Sequence, residues 1–335
     1  MSRPRLTDVA ALAGVSMKTV SNVVNGTGSA TPATRARVRA AIDELGYRPN
    51  VTARRLATGQ TGTISVAVSS VTVPYFAEIS NLLDRAARRS GLRAVIEQTH
   101  GDRNNELAIL AERERGLVDG VIFHPVALTP DDLVDRSPGF ALVLLGEGPA
   151  PAGVDHVMID NEAAAREATT HLIERGCRHI AFLGVESHGL THTTGQRFAG
   201  YEQALEMAGQ RADPRRRLQI EHYSADEGHR AVADALDQGV TFDGIVCRDD
   251  SLATGALHAL HSRRVRVPGE VAVTGWDDLI IARNLWPPLT TIGPHKAEIA
   301  RTAVRLLAER IHGYAGPGRH EIVASQLIPR DSTAR

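Results

Sequence analysis

The chain has 335 residues, of which 42% are hydrophobic, 23% charged and 4% aromatic. That length calls for two or three globular domains, and its longest apolar runs, such as FALVLL, fall far short of the roughly 20 residues that cross a bilayer. The N-terminus carries no apolar h-region of a secretory signal, and two cysteines, Cys177 and Cys247, without C-x-x-C spacing exclude a disulfide framework or a zinc ribbon. The expected setting is therefore the cytoplasm, with both thiols buried beside strands. Net charge is close to zero but unevenly placed. Residues 1–60 hold nine Lys/Arg against three acids (Asp8, Asp43 and Glu44), so the other 29 cations face 36 acids in the rest. A basic head on an acidic body is the pattern of a polyanion-binding domain joined to something else. Lys18 and Lys296 are the sole lysines, so the asymmetry carries that argument, and the arginine count does not.

In chain order, Thr7 is placed to cap a first helix opening at Asp8, with Val9, Ala10 and Ala13 on its inner face. Gly14 supplies a turn, since without a side chain it accepts positive φ. Ser16 then caps a second helix from Met17 to about Val24. Val20, Val23 and Val24 share its inner face, and Met17, Lys18, Ser21 and Asn22 fall on the other. Thr31-Pro32 opens a third helix with a cap residue and a proline at the first helical position, and Gly46 ends it. Two short helices, a tight turn and a third bracing helix spell a helix-turn-helix. In such a motif the start of the second helix meets base edges in the major groove. Lys18 can donate to guanine, Met17 can meet a thymine methyl and Asn22 suits adenine. Ser16, Thr19 and Ser21 are placed for phosphates, which hold register without reading sequence.

The segment YRPNVTARRLATGQTG follows, from Tyr47 to Gly62. Asn50 can cap a helix over Val51–Ala57, too short to be stable alone in water, and the run from Thr58 to Gly62 is a tether. Leu56 beside Arg54 and Arg55 is odd on a solvated linker. It makes sense as an apolar wedge for a minor-groove step, flanked by phosphate-binding arginines. The segments LTDVAALAGVSMKTVSNVVNG, TRARVRAAIDELGYRPN and ARRLATG closely resemble the lac repressor (LacI/GalR) family of transcriptional regulators, and the likeness runs to near Pro329. The resemblance implies a homodimer on a near-palindromic operator, with paired hinge helices each inserting the leucine that falls at Leu56. The DNA-contacting set it implies is Thr7, Ser16, Met17, Lys18, Thr19, Ser21, Asn22, Asn25, Tyr47, Asn50, Ala53, Arg54, Arg55 and Leu56. Asn22 departs from the arginine or histidine often found there.

Past Gly62, strands and helices alternate, which implies parallel sheets. VDGVIFHP (Val118–Pro125) is echoed by FDGIVCRD (Phe242–Asp249), and TISVAVSS by RHIAFLGV (Arg178–Val185). So long a period means two related α/β lobes, not a solenoid. The expected fold is a small all-α helix-turn-helix domain (1–49) and a hinge with linker (50–61), joined to a two-lobed α/β body of the type I periplasmic-binding-protein kind (62–335). The first lobe would take about 62–160 plus 294–318, and the second about 161–293 plus 319–335. Ligands of open α/β sheets sit beyond the carboxyl ends of strands. Those ends are Ser69-Ser70, His124, Glu147, Tyr223, Arg248-Asp249-Asp250 and Trp276-Asp277-Asp278, a mixture suited to a polyhydroxylated ligand. The resemblance implies that Arg197 in GQRFAGY contacts ligand oxygens, Asp277 in GWDD accepts hydroxyls, and Tyr223 and Phe76 cover sugar rings. With Ser69, His124 and Asp249, which stands where the family usually has asparagine, these form the candidate effector set.

Signatures of catalysis are missing: no G-x-S-x-G, G-x-x-x-x-G-K-[ST] or H-E-x-x-H occurs. His124 reads as a pocket-wall residue, since no His/Cys pair has metal spacing. In the doublets 249–250 and 277–278 the second acid can cap the following helix. The expectation is a repressor of carbohydrate-utilisation genes, without enzyme activity, cofactor, metal or membrane association. A sugar or sugar derivative would release it from DNA by unpairing the hinges. The competing reading is a sugar-binding protein or sugar enzyme with an incidental helical head. VASQLIPRDSTAR ends without a leucine heptad, which points to a dimer lacking the tetramerising tail of the lac repressor.

Overall fold

The computed structural model describes residues 4–25, 28–47, 60–129, 131–134, 141–146, 148, 150–187 and 189–335. They fall into two units that divide between Thr61 and Gly62.

In the first unit, α1 (Leu6–Ala13), α2 (Met17–Asn25) and α3 (Pro32–Leu45) pack Val9, Ala10, Ala13, Val20, Val38 and Ala41 into one core. Local chemistry sets each boundary. Gly14 takes φ 62 and closes α1. Ser16 Oγ accepts the Thr19 N–H at 3.1 Å, which starts α2. Thr31 Oγ1 accepts from Thr34 N–H at 3.2 Å ahead of Pro32, and Gly46 ends α3 at φ 59. One boundary differs from expectation. Thr7 is the second residue of α1 and caps nothing; Arg5 is the cap residue, and its N–H donates to Asp8 Oδ2 at 2.7 Å. A carboxylate three residues on serves the same orphan N–H as a capping box does.

The second unit holds two six-stranded sheets, ordered β11-β5-β4-β3-β1-β2 and β12-β10-β9-β8-β6-β7. The first contains β1 (Thr63–Val68), β2 (Arg93–Gln98), β3 (Gly120–Phe123), β4 (Leu142–Leu145), β5 (Asp155–Met158) and β11 (His320–Ile322). The second contains β6 (Ile180–Glu186), β7 (Arg217–Ile220), β8 (Gly244–Cys247), β9 (Ala272–Trp276), β10 (Thr290–Pro294) and β12 (Ser325–Ile328). All pairs are parallel except β10 with β12. Each sheet repeats one doubly wound order with its own switch point, between β1 and β3 and between β6 and β8.

Helices cover both faces of each sheet. The first lobe uses α4 (Pro74–Arg89), α5 (Arg103–Glu114), α6 (Asp131–Val134) and α11 (Lys296–Ile311). The second uses α7 (Asn161–Glu174), α8 (His192–Met207), α9 (Ala225–Asp237) and α10 (Asp250–Ser262). α9 and α10 lie unusually close, for a Cβ on Gly255 would stand 1.9 Å from Ala225 O. The sequence echo has a physical cause. Asp119 Oδ2 accepts the Gly62 N–H at 2.6 Å, and Asp243 Oδ1 and Oδ2 accept from His179 and Arg178, so each aspartate ties down the start of its lobe's first strand. The last crossing between lobes lies later than expected. β11 pairs with β5 in register His320↔His156, so residues 320–322 belong to the first lobe and the second regains the chain at β12. The thiols of Cys177 and Cys247 are free and buried, and burial pushes Cys177 up to about 11.

Candidate functional site

Two surfaces gather candidate residues. On the head, Met17 is 53% exposed at the first helical position of α2, with Lys18 exposed beside it. The Ser16 and Thr19 hydroxyls lie 2.9 Å apart and bond to each other. Asn22 is half-buried, and a Cβ on Gly28 would come within 2.8 Å of its Nδ2, so the absent side chain at φ 80 leaves room for this amide. The sequence reading missed that partner. Tyr47 is 9% exposed and packs in the head's core, not on its surface. Thr7 is exposed, and Asn25 is the last residue of α2. Asn50, Ala53, Arg54, Arg55 and Leu56 lie outside the described residues, as do the expected hinge helix and Glu147.

In the body, a cavity of about 700 Å³ is lined from both lobes. It brings together all seven candidates: Ser69, His124, Tyr223, Asp249 and Asp277, which follow strand ends as parallel-sheet geometry requires, and Phe76 and Arg197 from helices beside them. Ser69 and His124 follow β1 and β3, across the first switch point, while Arg248 and Asp249 follow β8, opposite the end of β6. Phe76, in the first turn of α4, meets the His124 ring edge-on at 4.8 Å between centroids.

Arg197 on α8 is 7% exposed and held on three sides. Its Nε donates to Asn161 Oδ1 at 2.7 Å, its Nη1 donates to Arg248 O at 2.5 Å, and its guanidinium lies 3.9 Å from the centroid of Trp276. Such a cation is positioned before any ligand arrives. A second cluster forms around Glu186 at the end of β6. Glu186 Oε1 accepts from Thr191 at 2.9 Å, Thr194 at 2.5 Å and Tyr223 at 2.5 Å. Burial alone would raise this carboxyl, but the Thr194 and Tyr223 hydroxyls and the Arg248 cation hold it below the usual range. Arg248 stacks 3.8 Å above the Tyr223 ring and donates to Thr194 at 2.8 Å and to Asp249 at 3.1 Å. Tyr223 thus offers a ring whose hydroxyl is already engaged.

The acid doublets divide their labour differently from expectation. Asp249, the first acid, caps α10 by accepting the Leu252 N–H at 2.9 Å. Asp250 is fully buried and accepts from Thr291 Oγ1 at 2.7 Å and from Leu279 N–H at 2.8 Å. Burial and the neighbouring Asp277 push it well above the ordinary range. Asp277 lines the cavity at φ 101, and Asp278 follows at φ 44, so the chain turns sharply after β9. Burial raises Asp277 to about 7, with Asp249 adding to the rise and Arg197 and Lys296 opposing it. Asp278 caps no helix; its carboxylate accepts from Arg330 Nη2 at 2.5 Å.

Asn161, Thr194 and Glu186 escaped the sequence reading as site residues. So did Glu106, whose buried carboxylate accepts the N–H groups of Val126, Ala127 and Leu128 at 2.8–3.1 Å and fixes that wall of the cavity. Glu106 could have been found as a lone acid on the inner face of α5; Glu186 could not, since nothing local marks it.

A helix-turn-helix unit followed by a two-lobed α/β unit with a polar, aromatic-lined cavity defines a one-chain regulator with separate DNA-binding and ligand-binding parts. Residues 5–50 match the family described as bacterial regulatory proteins, lacI family, and residues 169–333 match a periplasmic binding protein-like domain. The chain is 33% identical over 342 residues to the HTH-type transcriptional regulator CelR of Thermobifida fusca, covering 98% of each. Among solved structures, a transcriptional regulator CelR–cellobiose complex matches with a TM-score of 0.73 at 31% identity, over 98% of this chain and 100% of that one. A lac repressor dimer bound to operator and the anti-inducer ONPF matches with a TM-score of 0.84 at 26% identity, over 99% of both chains. The chain belongs to the lacI family of bacterial regulatory proteins and is a DNA-binding transcriptional regulator.

Proposed function

We propose that this regulator is a cytoplasmic, dimeric repressor of carbohydrate-utilisation genes, and that a neutral sugar or sugar derivative in the cavity releases it from a near-palindromic operator. One observation carries the reading. Seven residues chosen for sugar chemistry converge on one cavity, where a fixed guanidinium, carboxyl groups and the Phe76 and Tyr223 rings supply forked donors, acceptors and apolar faces. Two carboxylates flank Arg248, which favours an uncharged ligand over an acidic one. The cellobiose-bound relative adds support from outside the chain. Dimerisation is supported by apolar side chains left in solvent at Ile280, Ile281 and Trp286, which are 64%, 49% and 90% exposed.

The cavity serves binding without turnover in this reading, because Asp249 is spent on a helix cap and Asp250 on Thr291 and Leu279. Two free carboxyl groups in facing positions, the usual tool for cleaving a glycosidic bond, are not what these doublets supply. Release follows if the sugar binds the DNA-incompatible lobe arrangement more tightly than the compatible one. Genome-wide footprinting supplies an operator, and fluorescence anisotropy then follows its release across a panel of mono- and disaccharides that includes cellobiose. Release by one sugar at a concentration matching its calorimetric Kd supports the reading. Operator binding that ignores every sugar which the protein binds overturns it.

A further inference from the structure

The corner after β9 is gripped from both lobes. On the second-lobe side, Asp250 accepts the Leu279 N–H at 2.8 Å and Arg330 donates to the Asp278 carboxylate at 2.5 Å. On the first-lobe side, Glu78 in α4 and Lys296 at the start of α11 form an ion pair at 2.5 Å, with 21% and 11% of their side chains exposed. Each partner makes a further bond to the corner's backbone. Glu78 Oε1 accepts the Ile280 N–H at 2.9 Å, and Lys296 Nζ donates to Asp278 O at 3.0 Å. Asp277, the cavity carboxyl, lies next to Asp278 and within three residues of Ile280.

We propose that Glu78 and Lys296 are positioning residues, an ion-paired latch that clamps the 277–280 corner to the first lobe and so sets the angle between the lobes. The pair is largely shielded from water, so solvent and salt weaken it less than a surface pair. The bonds it makes to the second lobe are to main-chain groups, so they track the position of the corner and not the identity of its side chains. A ligand that pulls on Asp277 moves a segment already bonded to α4 and α11, and the first lobe must follow or the latch must open. Sequence reading could not find it, since Glu78 and Lys296 stand 218 residues apart.

The test exploits a difference between pairing and latching. In the double variant Glu78→Lys/Lys296→Glu the ion pair within the first lobe can re-form with its charges exchanged. The corner contacts cannot, because an ammonium would then face the Ile280 N–H donor and a carboxylate would face the Asp278 carbonyl acceptor. Spin labels at Ser90→Cys and Met207→Cys, both exposed and one in each lobe, report the lobe separation by pulsed dipolar spectroscopy. The native cysteines are buried. The labelled full-length chain is diluted into excess unlabelled chain, so that distances within one protomer dominate. We expect a broader distribution, shifted in mean, for the folded double variant, and faster amide exchange at Ile280. Glu78→Gln, which keeps an acceptor for Ile280 but loses the pair, should fall between it and the unaltered chain. An unchanged distance distribution in either folded variant overturns the latch. No sugar is present, so the outcome is independent of what the cavity binds.

Discussion

The head and the body place their chemistry in opposite ways. On α2, Met17 and Lys18 stand in solvent, with the Lys18 ammonium exposed. In the cavity, Arg197, Asp249 and Asp277 are each less than a tenth exposed, and hydrogen bonds with their neighbours fix the Arg197 and Asp249 side chains. A duplex supplies its own dense negative charge and rigid edges, so a reader of DNA does well to keep free donors on a helix end. A small neutral polyol supplies neither, so its site must be pre-organised by the protein. The contrast predicts how substitutions divide: those in the body should cost stability and ligand response together, and those on the head should cost recognition alone.

The largest effect should come from Arg197→Ala. It leaves Asn161 and the Arg248 carbonyl without their donor and Asp277 without the cation that most opposes its rise, all at buried or half-buried positions. Removing one member of a buried charged set costs about 3–5 kcal/mol. Urea denaturation should show that loss, and calorimetry should show no sugar binding. Operator affinity at a temperature where the variant stays folded should hold. A variant of unchanged stability would break the claim that the body's site is pre-organised.

Leu56→Ala, in the linker, should be next. An apolar wedge opens a base step at a cost of about a few kcal/mol in unstacking, repaid by the closer wrapping of the bent duplex in specific complexes, and it plays no part in loose electrostatic association. Specific operator affinity should fall at least tenfold, while binding to random duplex at the same salt is kept. Equal losses on both would remove Leu56 from the recognition machinery.

Asp277→Asn sharpens the comparison through pH. The folded chain keeps the Asp277 proton up to about 7, whereas the unfolded chain releases it near 3.8. Between those values the folded state binds more protons, so stability falls as pH rises through the window and levels off above it. The asparagine variant should lose that decline, read as a flatter plot of unfolding midpoint against pH. Sugar affinity in the unaltered chain should strengthen as pH passes 7, since the ionised carboxylate is the better acceptor for ligand hydroxyls. Asp155 provides the opposite control. Burial would raise it, but Arg319 and Arg310 hold it at about 2, so its contribution is present above 3.8 and vanishes as pH falls through 2.

The same division explains what could be read from the sequence. The head's boundaries were legible because capping is local: Ser16, Thr31-Pro32, Gly14 and Gly46 each act on residues within one turn. Thr7 misled because the nearby Asp8 carboxylate satisfied the helix start by a different route. In the body, strand ends located the cavity, since parallel topology sends every such end to one edge. What holds the cavity residues was not legible. Asn161 reaches Arg197 across 36 residues and Glu186 reaches Tyr223 across 37, and no periodicity records such pairs. The late return of the chain to the second lobe had the same origin: β11 is three residues long, has no buried side chain to mark it, and is fixed by its partner β5.

The smallest change in stability, and the cleanest test of the contrast, belongs to the head. Met17→Ala with Lys18→Ala removes two exposed side chains whose backbone remains capped by Ser16. Exposed substitutions away from caps and cores shift stability by about 0.5 kcal/mol or less, and alanine suits a helix's first turn. The melting curve should therefore barely move and the sugar response should persist. The selected binding sequence should change, because a lysine ammonium donating to both guanine O6 and N7 discriminates by about 1–3 kcal/mol, and a thioether against a thymine methyl adds an apolar preference for that base. Selection from a random-sequence pool reads this directly. An unaltered consensus would show that Met17 and Lys18 touch only backbone or solvent, and that sequence is read further along α2, by the Asn22 amide lodged beside Gly28.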